Sequence, residues 1–159
     1  MNKLRFRSGQ VQLVKVPVEA ASVINAGDLV WLDTAGAKPA SMFPWTTNAA
    51  TTQGNFAAKF LGVAHQHSSA GNSDPVSVDI SPMSVYELDS APATYKFGDF
   101  LGPDDQANHL LDQQLKVSSA ATMAIARAVE FTGAGATTLR VVLASAYGTA
   151  STNLNAQIG

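Results

Sequence analysis

The sequence predicts a mainly β protein: a compact β-barrel or β-sandwich-like body built from two similar halves, with extended N- and C-terminal arms. Three observations lead there. Large apolar residues recur at every second position, as in Val76, Val78, Ile80 and Leu139, Val141, Leu143, which is the spacing of a pleat and not of a helix face. Turn signals separate these runs: Gly27-Asp28, Gly98-Asp99 and Gly133-Ala134-Gly135. The order of runs and turns is also used twice.

Taken along the chain, Leu4 and Phe6 alternate with Arg5 and Arg7, and the first fifteen residues hold four cations, Lys3, Arg5, Arg7 and Lys15. Two expectations follow: an edge strand guarded by charge, or an arm that meets an acidic neighbour. Val11, Leu13, Val14, Val16 and Val18 read as a strand that Pro17 confines to a sheet edge or a bulge. Leu29-Val30-Trp31-Leu32 is a short apolar strand after the Gly27-Asp28 turn. Ala40 to Asn55, with Pro44, Trp45 and several Thr, reads as an exposed excursion. Phe60 to Ala64 and Val76 to Ile80 form a hairpin around the polar loop His65 to Asp74. In the second half, Val85 and Glu87 open a strand, and Phe100-Leu101 follows Gly98-Asp99. The segment Ser118 to Val129 is read as strand, with Met123, Ile125, Val129 and Phe131 on one face. A helix competes there because Ala is abundant. Leu139 to Leu143 returns after Gly133-Ala134-Gly135.

The repeat is explicit in the numbering. Val14 to Asp28 matches Val85 to Asp99 at a shift of 71 residues, and Asp33 matches Asp104. Leu61-Gly62-Val63-Ala64 through Val78 matches Ile125-Ala126-Arg127-Ala128 through Val142 at a shift of 64. The expected organisation is an arm at 1–10, a body at 11–147 with halves near 11–81 and 82–147, and a tail at 148–159. Each half alone leaves strand faces open, and two packed together close them. The shared Gly27, Asp28, Gly98 and Asp99 therefore read as structural turns, with glycine supplying positive φ and aspartate bonding the turn backbone.

Composition narrows the function. The chain has 159 residues and no cysteine, so no disulfide, thiolate metal site or cysteine nucleophile exists. Charged residues are 14% of the chain and the net charge is −2, against about 25% charged in typical soluble domains. This does not suggest nucleic acid as a partner, and such a surface is cheap to desolvate against protein. No apolar run reaches the length of a membrane span, and the basic start lacks the apolar stretch of a secretory signal.

Chemical motifs are sparse. His65 and His67 could chelate a metal from one strand face, with His109 the remaining histidine. Asp104, Asp105 and Asn108 could bind calcium, but the sequence Gly102 to Asn108 lacks the EF-hand glycine and glutamate and reads as a turn. No phosphate loop, nucleophile elbow or Ser–His–acid set stands out. The expectation is a non-enzyme without cofactors or metals.

The run Val23-Ile24-Asn25-Ala26-Gly27-Asp28-Leu29-Val30, then Phe60-Leu61-Gly62-Val63-Ala64, then Val76-Ser77-Val78, resembles the capsid cement (decoration) proteins of tailed bacteriophages. Phe97-Gly98-Asp99-Phe100 with Ala126-Arg127-Ala128 and Leu139 to Leu143 is similar, with Ala126 where Gly62 stands. The likeness spans about residues 14 to 146. It implies a β-barrel-like body with terminal arms, made in the host cytoplasm and bound to the outer capsid surface of the virion. Its partners would be the major capsid protein and further copies of itself, a trimer favoured over a dimer. It transfers no catalytic residues. The partner-binding candidates are Leu4, Arg5, Phe6, Arg7, Trp45, Leu154 and Ile158. The alternative is a carbohydrate- or host-surface-binding β module, stacking sugars on Trp31, Trp45, Tyr86 and Tyr95.

Overall fold

The alternation seen in the sequence is clearest in the longest strand, Ser84–Ala93, where Ser84, Tyr86, Leu88 and Ser90 are buried and the residues between them are not. In the computed structural model, which describes residues 4–148, this is one of eleven strands, which occur with a single nine-residue α-helix. The strands are β1 (Phe6–Gly9), β2 (Leu13–Val16), β3 (Leu29–Asp33), β4 (Gly36–Pro39), β5 (Phe60–Ala64) and β6 (Val76–Asp79). They continue with β7 (Ser84–Ala93), β8 (Phe100–Gln106), β9 (His109–Val117), β10 (Ala126–Ala128) and β11 (Ala136–Leu143). The helix is α1 (Ala49–Ala57).

The strands form two rings of the same topology. In the first the order is β2-β6-β5-β3-β4, and the parallel bridge Val18↔Ala37 brings the chain leaving β2 back onto β4. In the second the order is β7-β11-β10-β8-β9, closed by parallel pairing of β7 with β9, while β1 adds to β7 from outside. The equivalence extends to individual residues. Val14↔Val78 and Val16↔Val76 in ring one are Val85↔Val142 and Glu87↔Arg140 in ring two. Leu29↔Val63 and Val30↔Gly62 become Phe100↔Arg127 and Leu101↔Ala126. The bond from Gly27 N to Ala64 O, 2.7 Å, recurs from Gly98 N to Ala128 O at 2.8 Å. The bond from Ser68 N to Ile24 O, 2.9 Å, recurs from Thr132 N to Tyr95 O at 3.0 Å. Even the loop tips correspond: Gly71 and Gly135 have φ of +87° and +73°, and both face open space.

Two apolar clusters result. The smaller fills ring one with Val18, Ile24, Val30, Ala37, Leu61, Ala64, Val76 and Val78. The larger fills ring two and continues onto the outer face of ring one through Leu29, Trp31, Phe60 and Val63. Because β3 is pleated, Val30 points inward while its neighbours Leu29 and Trp31 point at the other ring. On β5 a bulge opposite the Val30–Trp31 step puts Phe60 and Val63 on one face although they are three residues apart.

Two segments differ from the sequence-based expectation. Ala40 to Asn55 is not an exposed excursion. It folds into a 3₁₀ turn at Ala40–Met42 and runs into α1, whose N-cap Asn48 accepts from Thr51 N at 2.9 Å. Phe43 of this segment and Phe56 of α1 are buried and continue a chain of aromatic contacts from Trp31 to Phe60. Burying two phenylalanines at the ring junction is the force that folds the insertion back. Ser118 to Val129 is neither one strand nor a helix. It holds a 3₁₀ turn at Ala121–Met123 and the three-residue β10, which buries Ala126 and Ala128 and leaves Arg127 exposed. The small residues face inward because β10 lies against the filled interior of ring two.

Candidate interaction surface

The turns Gly27-Asp28 and Gly98-Asp99 are built alike. Both glycines have positive φ, +99° and +91°. Asp28 Oδ2 accepts from Asn25 N at 2.7 Å, and Asp99 Oδ2 accepts from Lys96 N at 2.8 Å. Their surroundings diverge. Asp28 is buried at the seam between the rings, where its Oδ1 accepts from Gln113 Nε2 of β9 at 2.6 Å. Nearby Asp112 accepts from Ser41 N and Oγ at 2.6 and 2.9 Å. Burial pushes the Asp28 carboxyl up to about 6, against the two hydrogen bonds and with help from Asp112. Burial raises Asp112 as well, against the bonds from Ser41. These acids flank a shallow, open hollow of about 250 Å³ that Asn25 and Asp89 also line.

A second polar cluster pins the start of ring one to ring two. Asp79, at the end of β6, accepts from Gln12 N at 2.8 Å, Ser81 N at 2.9 Å, Ser84 Oγ at 2.5 Å and Tyr86 OH at 2.6 Å. Burial alone would raise Asp79, but these donors prevail and its pKa falls below the usual carboxylate value. His65 Nε2 lies 2.6 Å from the Tyr86 oxygen. Since Tyr86 donates to Asp79, His65 meets that oxygen as the donor. Burial lowers the His65 pKa, while burial and the Asp79 carboxylate drive Tyr86 far above its ordinary value. The serine, tyrosine, histidine and aspartate are thus spent on one another, with no free nucleophile among them.

The sequence-derived candidates separate accordingly. His65 and His67 do not converge: His67 lies 3.2 Å from Asn25 Oδ1 and 3.0 Å from Ser69 Oγ, while His109 is exposed beside the β8–β9 turn. Asp104 and Asp105 lie within β8, not in a turn, and Lys116 of β9 pairs with both. The turn itself is Ala107-Asn108, both at positive φ, as a two-residue hairpin turn requires. Among the described residues no group of three or more His, Cys, Asp or Glu is arranged to hold a metal ion. Of the four aromatics proposed to stack on sugars, Trp31, Tyr86 and Tyr95 are buried, and Trp45 is partly buried against the larger cluster.

The N-terminal segment is engaged within its own chain. Leu4 packs on the larger cluster, and β1 pairs antiparallel with β7. Arg5 reaches Asp89 at 2.6 Å and Glu87 at 3.5 Å, and Arg7 reaches Glu87 at 3.1 Å. The acidic surface that Arg5 and Arg7 meet is therefore the chain's own β7. Phe6 stands edge-on to Tyr86 and remains 40% exposed. Leu154 and Ile158 lie outside the described residues. Large apolar side chains exposed elsewhere include Leu13, Met83, Phe97 and Phe131. Sequence reasoning missed Phe97 and Phe131 as a surface feature. The repeat carries the signal, because at its own shifts these two phenylalanines fall on Ala26 and His67.

Fold and surface together define a mainly β double-ring protein, with no helix among the described residues long and apolar enough to cross a membrane. Compared with known proteins, the chain matches no family model and no curated protein sequence.

Proposed function

We propose that the chain is a non-catalytic structural protein of a phage virion, which binds the outer surface of the capsid and cements neighbouring major capsid protein subunits. One observation carries the structural side of this reading. The clustered polar side chains at the two seams are engaged in holding the fold, while large apolar side chains remain on the surface of a charge-poor body. Such a surface suits protein–protein contact, where an apolar centre is desolvated at little electrostatic cost. The resemblance of the repeated Gly-Asp and Leu-Gly-Val-Ala segments to cement proteins supplies the identity of the partner. Self-association as a trimer belongs to the same proposal.

The test uses heads of the encoding phage assembled without this protein. Added protein is expected to bind saturably and to raise the temperature at which heads rupture. Deleting residues 148–159 is expected to lower occupancy, since each added contact becomes intramolecular once the body has docked. Heads that stay bare at tens of micromolar protein would end the proposal.

A further inference from the structure

Internal duplication lets one ring serve as a control for the other. β2 holds the place in ring one that β7 holds in ring two. The edge of β7 that closes onto β9 at Asp89 and Ser90 also takes β1, which lies antiparallel beside Ser84 to Tyr86. Past β2 the chain closes onto β4 at Val18 in the same parallel manner. The stretch before that closure differs, because β2 pairs with β6 alone among the described strands. Ring one therefore has an edge where ring two has a strand.

The phase of the hydrogen bonds sets what that edge presents. Ser77 O accepts from His65 N at 2.8 Å, and Ile80 N donates to Gln12 O at 3.0 Å. The main chain of Ser77 thus faces away from β2, while Val76, Val78 and Ile80 face it. Alternation along the antiparallel pair then turns the N–H and C=O of Leu13 and Lys15 away from β6. Among the described residues, no group bonds to these four. Two residues that commonly guard an edge leave this one open. Lys15 bends back to Gln66 Oε1 at 2.9 Å, and Pro17 lies past the open stretch, where its carbonyl accepts from Ala37 N at 2.8 Å.

We infer that the open edge of β2 receives residues 149–159 of a second copy, added as an antiparallel strand. That segment alternates Leu154, Ala156 and Ile158 with Asn153, Asn155 and Gln157, the pattern of a strand with one apolar face. Its eleven residues reach about 36 Å, against about 10 Å for Leu13 to Lys15. Where the segment starts decides whose edge it takes. A Cβ on Gly148 would lie 3.4 Å from Ile80 O, and Ile80 N bonds Gln12 O. A chain's own segment therefore sets out from the β6 side of β2, at its first residues. It would have to cross β2 to reach the open edge and would then run parallel to it. A segment from another copy enters at the Val16 end and pairs antiparallel, as β1 does on β7. The contact gives a site to the self-association proposed above and rests on that part of the reading, not on the capsid.

The experiment measures association of the full chain by sedimentation equilibrium, for wild type, Lys15→Pro, and Leu154→Asp with Ile158→Asp. Lys15→Pro removes an outward N–H and no bond to β6, and the second variant leaves the body unchanged. Both are expected to melt within a few degrees of wild type and to raise the dissociation constant of the oligomer at least tenfold. The chain has no cysteine, so Leu13→Cys protein mixed with Asn155→Cys protein is expected to give, with a short bis-maleimide, a covalent pair that neither forms alone. A chain carrying both cysteines that closes only on itself places the segment on its own edge and overturns the inference. Association that both variants keep within twofold overturns it too. Wild type that stays monomeric at high micromolar concentration does the same, whether or not it binds heads. Heads left bare by protein that self-associates as expected sink the capsid reading and leave this contact standing.

Discussion

Asp28 and Asp99 show how one residue type at one position in a repeat acquires two physical roles. Each closes its turn, but only Asp28 is also enclosed by the other ring, beside Asp112. Its folded pKa of about 6 exceeds the ordinary 3.8, so folding favours the protonated form. That contribution is complete below pH 3.8 and is lost as pH rises through 6, above which the fold carries a desolvated charge. Asp28→Asn removes the charge, keeps an acceptor for Asn25 N, and lets Gln113 turn its carbonyl toward the new amide. Thermal melts are expected to place this variant a few degrees above wild type at pH 8, with the advantage gone at pH 4. An equal offset at both values would show that the charge is not what matters. Asp79 works in the opposite direction. Its donors hold its pKa low, so its contribution is present near neutrality and is lost as pH falls through that lowered value.

Among the elements, β5 and β10 are the most instructive pair. A Cβ on Gly62 would lie 1.9 Å from the Asp79 carbonyl oxygen, so β5 can meet β6 in its observed register only as glycine. Ring two has Ala126 at that point, and its register is offset by one: Ala64 faces Val78, whereas Ala128 faces Val141 and not Val142. Gly62→Ala is therefore expected to cost about 2 kcal/mol or more, measured as a lower urea midpoint; an unchanged midpoint would mean that β6 yields freely. The sequence shows these strands because period-2 spacing and the repeated turn words are local signals. It hides α1, whose residues include Gly54 and two threonines and bury one large apolar side chain, Phe56. The forces that form α1 come from a distance: Gln53 Nε2 donates to Pro103 O at 2.8 Å, and Phe56 meets Phe43 and Phe60. β10 misleads for a related reason. Its inward residues are alanines, so of the large side chains expected to share one face only Ile125 is fully buried, while Phe131 is exposed. The polar seams are illegible for the same cause, since Asp28 and Gln113 are 85 residues apart.

At the level of the whole molecule, the larger cluster runs from the interior of ring two onto ring one without a break. Neither ring can lose its packing without exposing apolar surface of the other. Equilibrium unfolding is expected to be one transition, with tryptophan fluorescence, which includes Trp31 in ring one, coinciding with far-UV circular dichroism. Leu139→Ala, buried in ring two, is expected to shift both signals together by about 2–5 kcal/mol; separated transitions would show that the rings fold independently. The repeated tips at Gly71 and Gly135 have a different consequence. Each has open space at its Cα, but Gly71 N is tied to Ala20 O at 2.6 Å. A foreign peptide spliced beside Gly135 would leave that bond alone and extend a solvent-facing bend. Because the rings share one core, a cargo there and another near Gly71 would be held at a fixed separation, giving a bivalent carrier in a single chain.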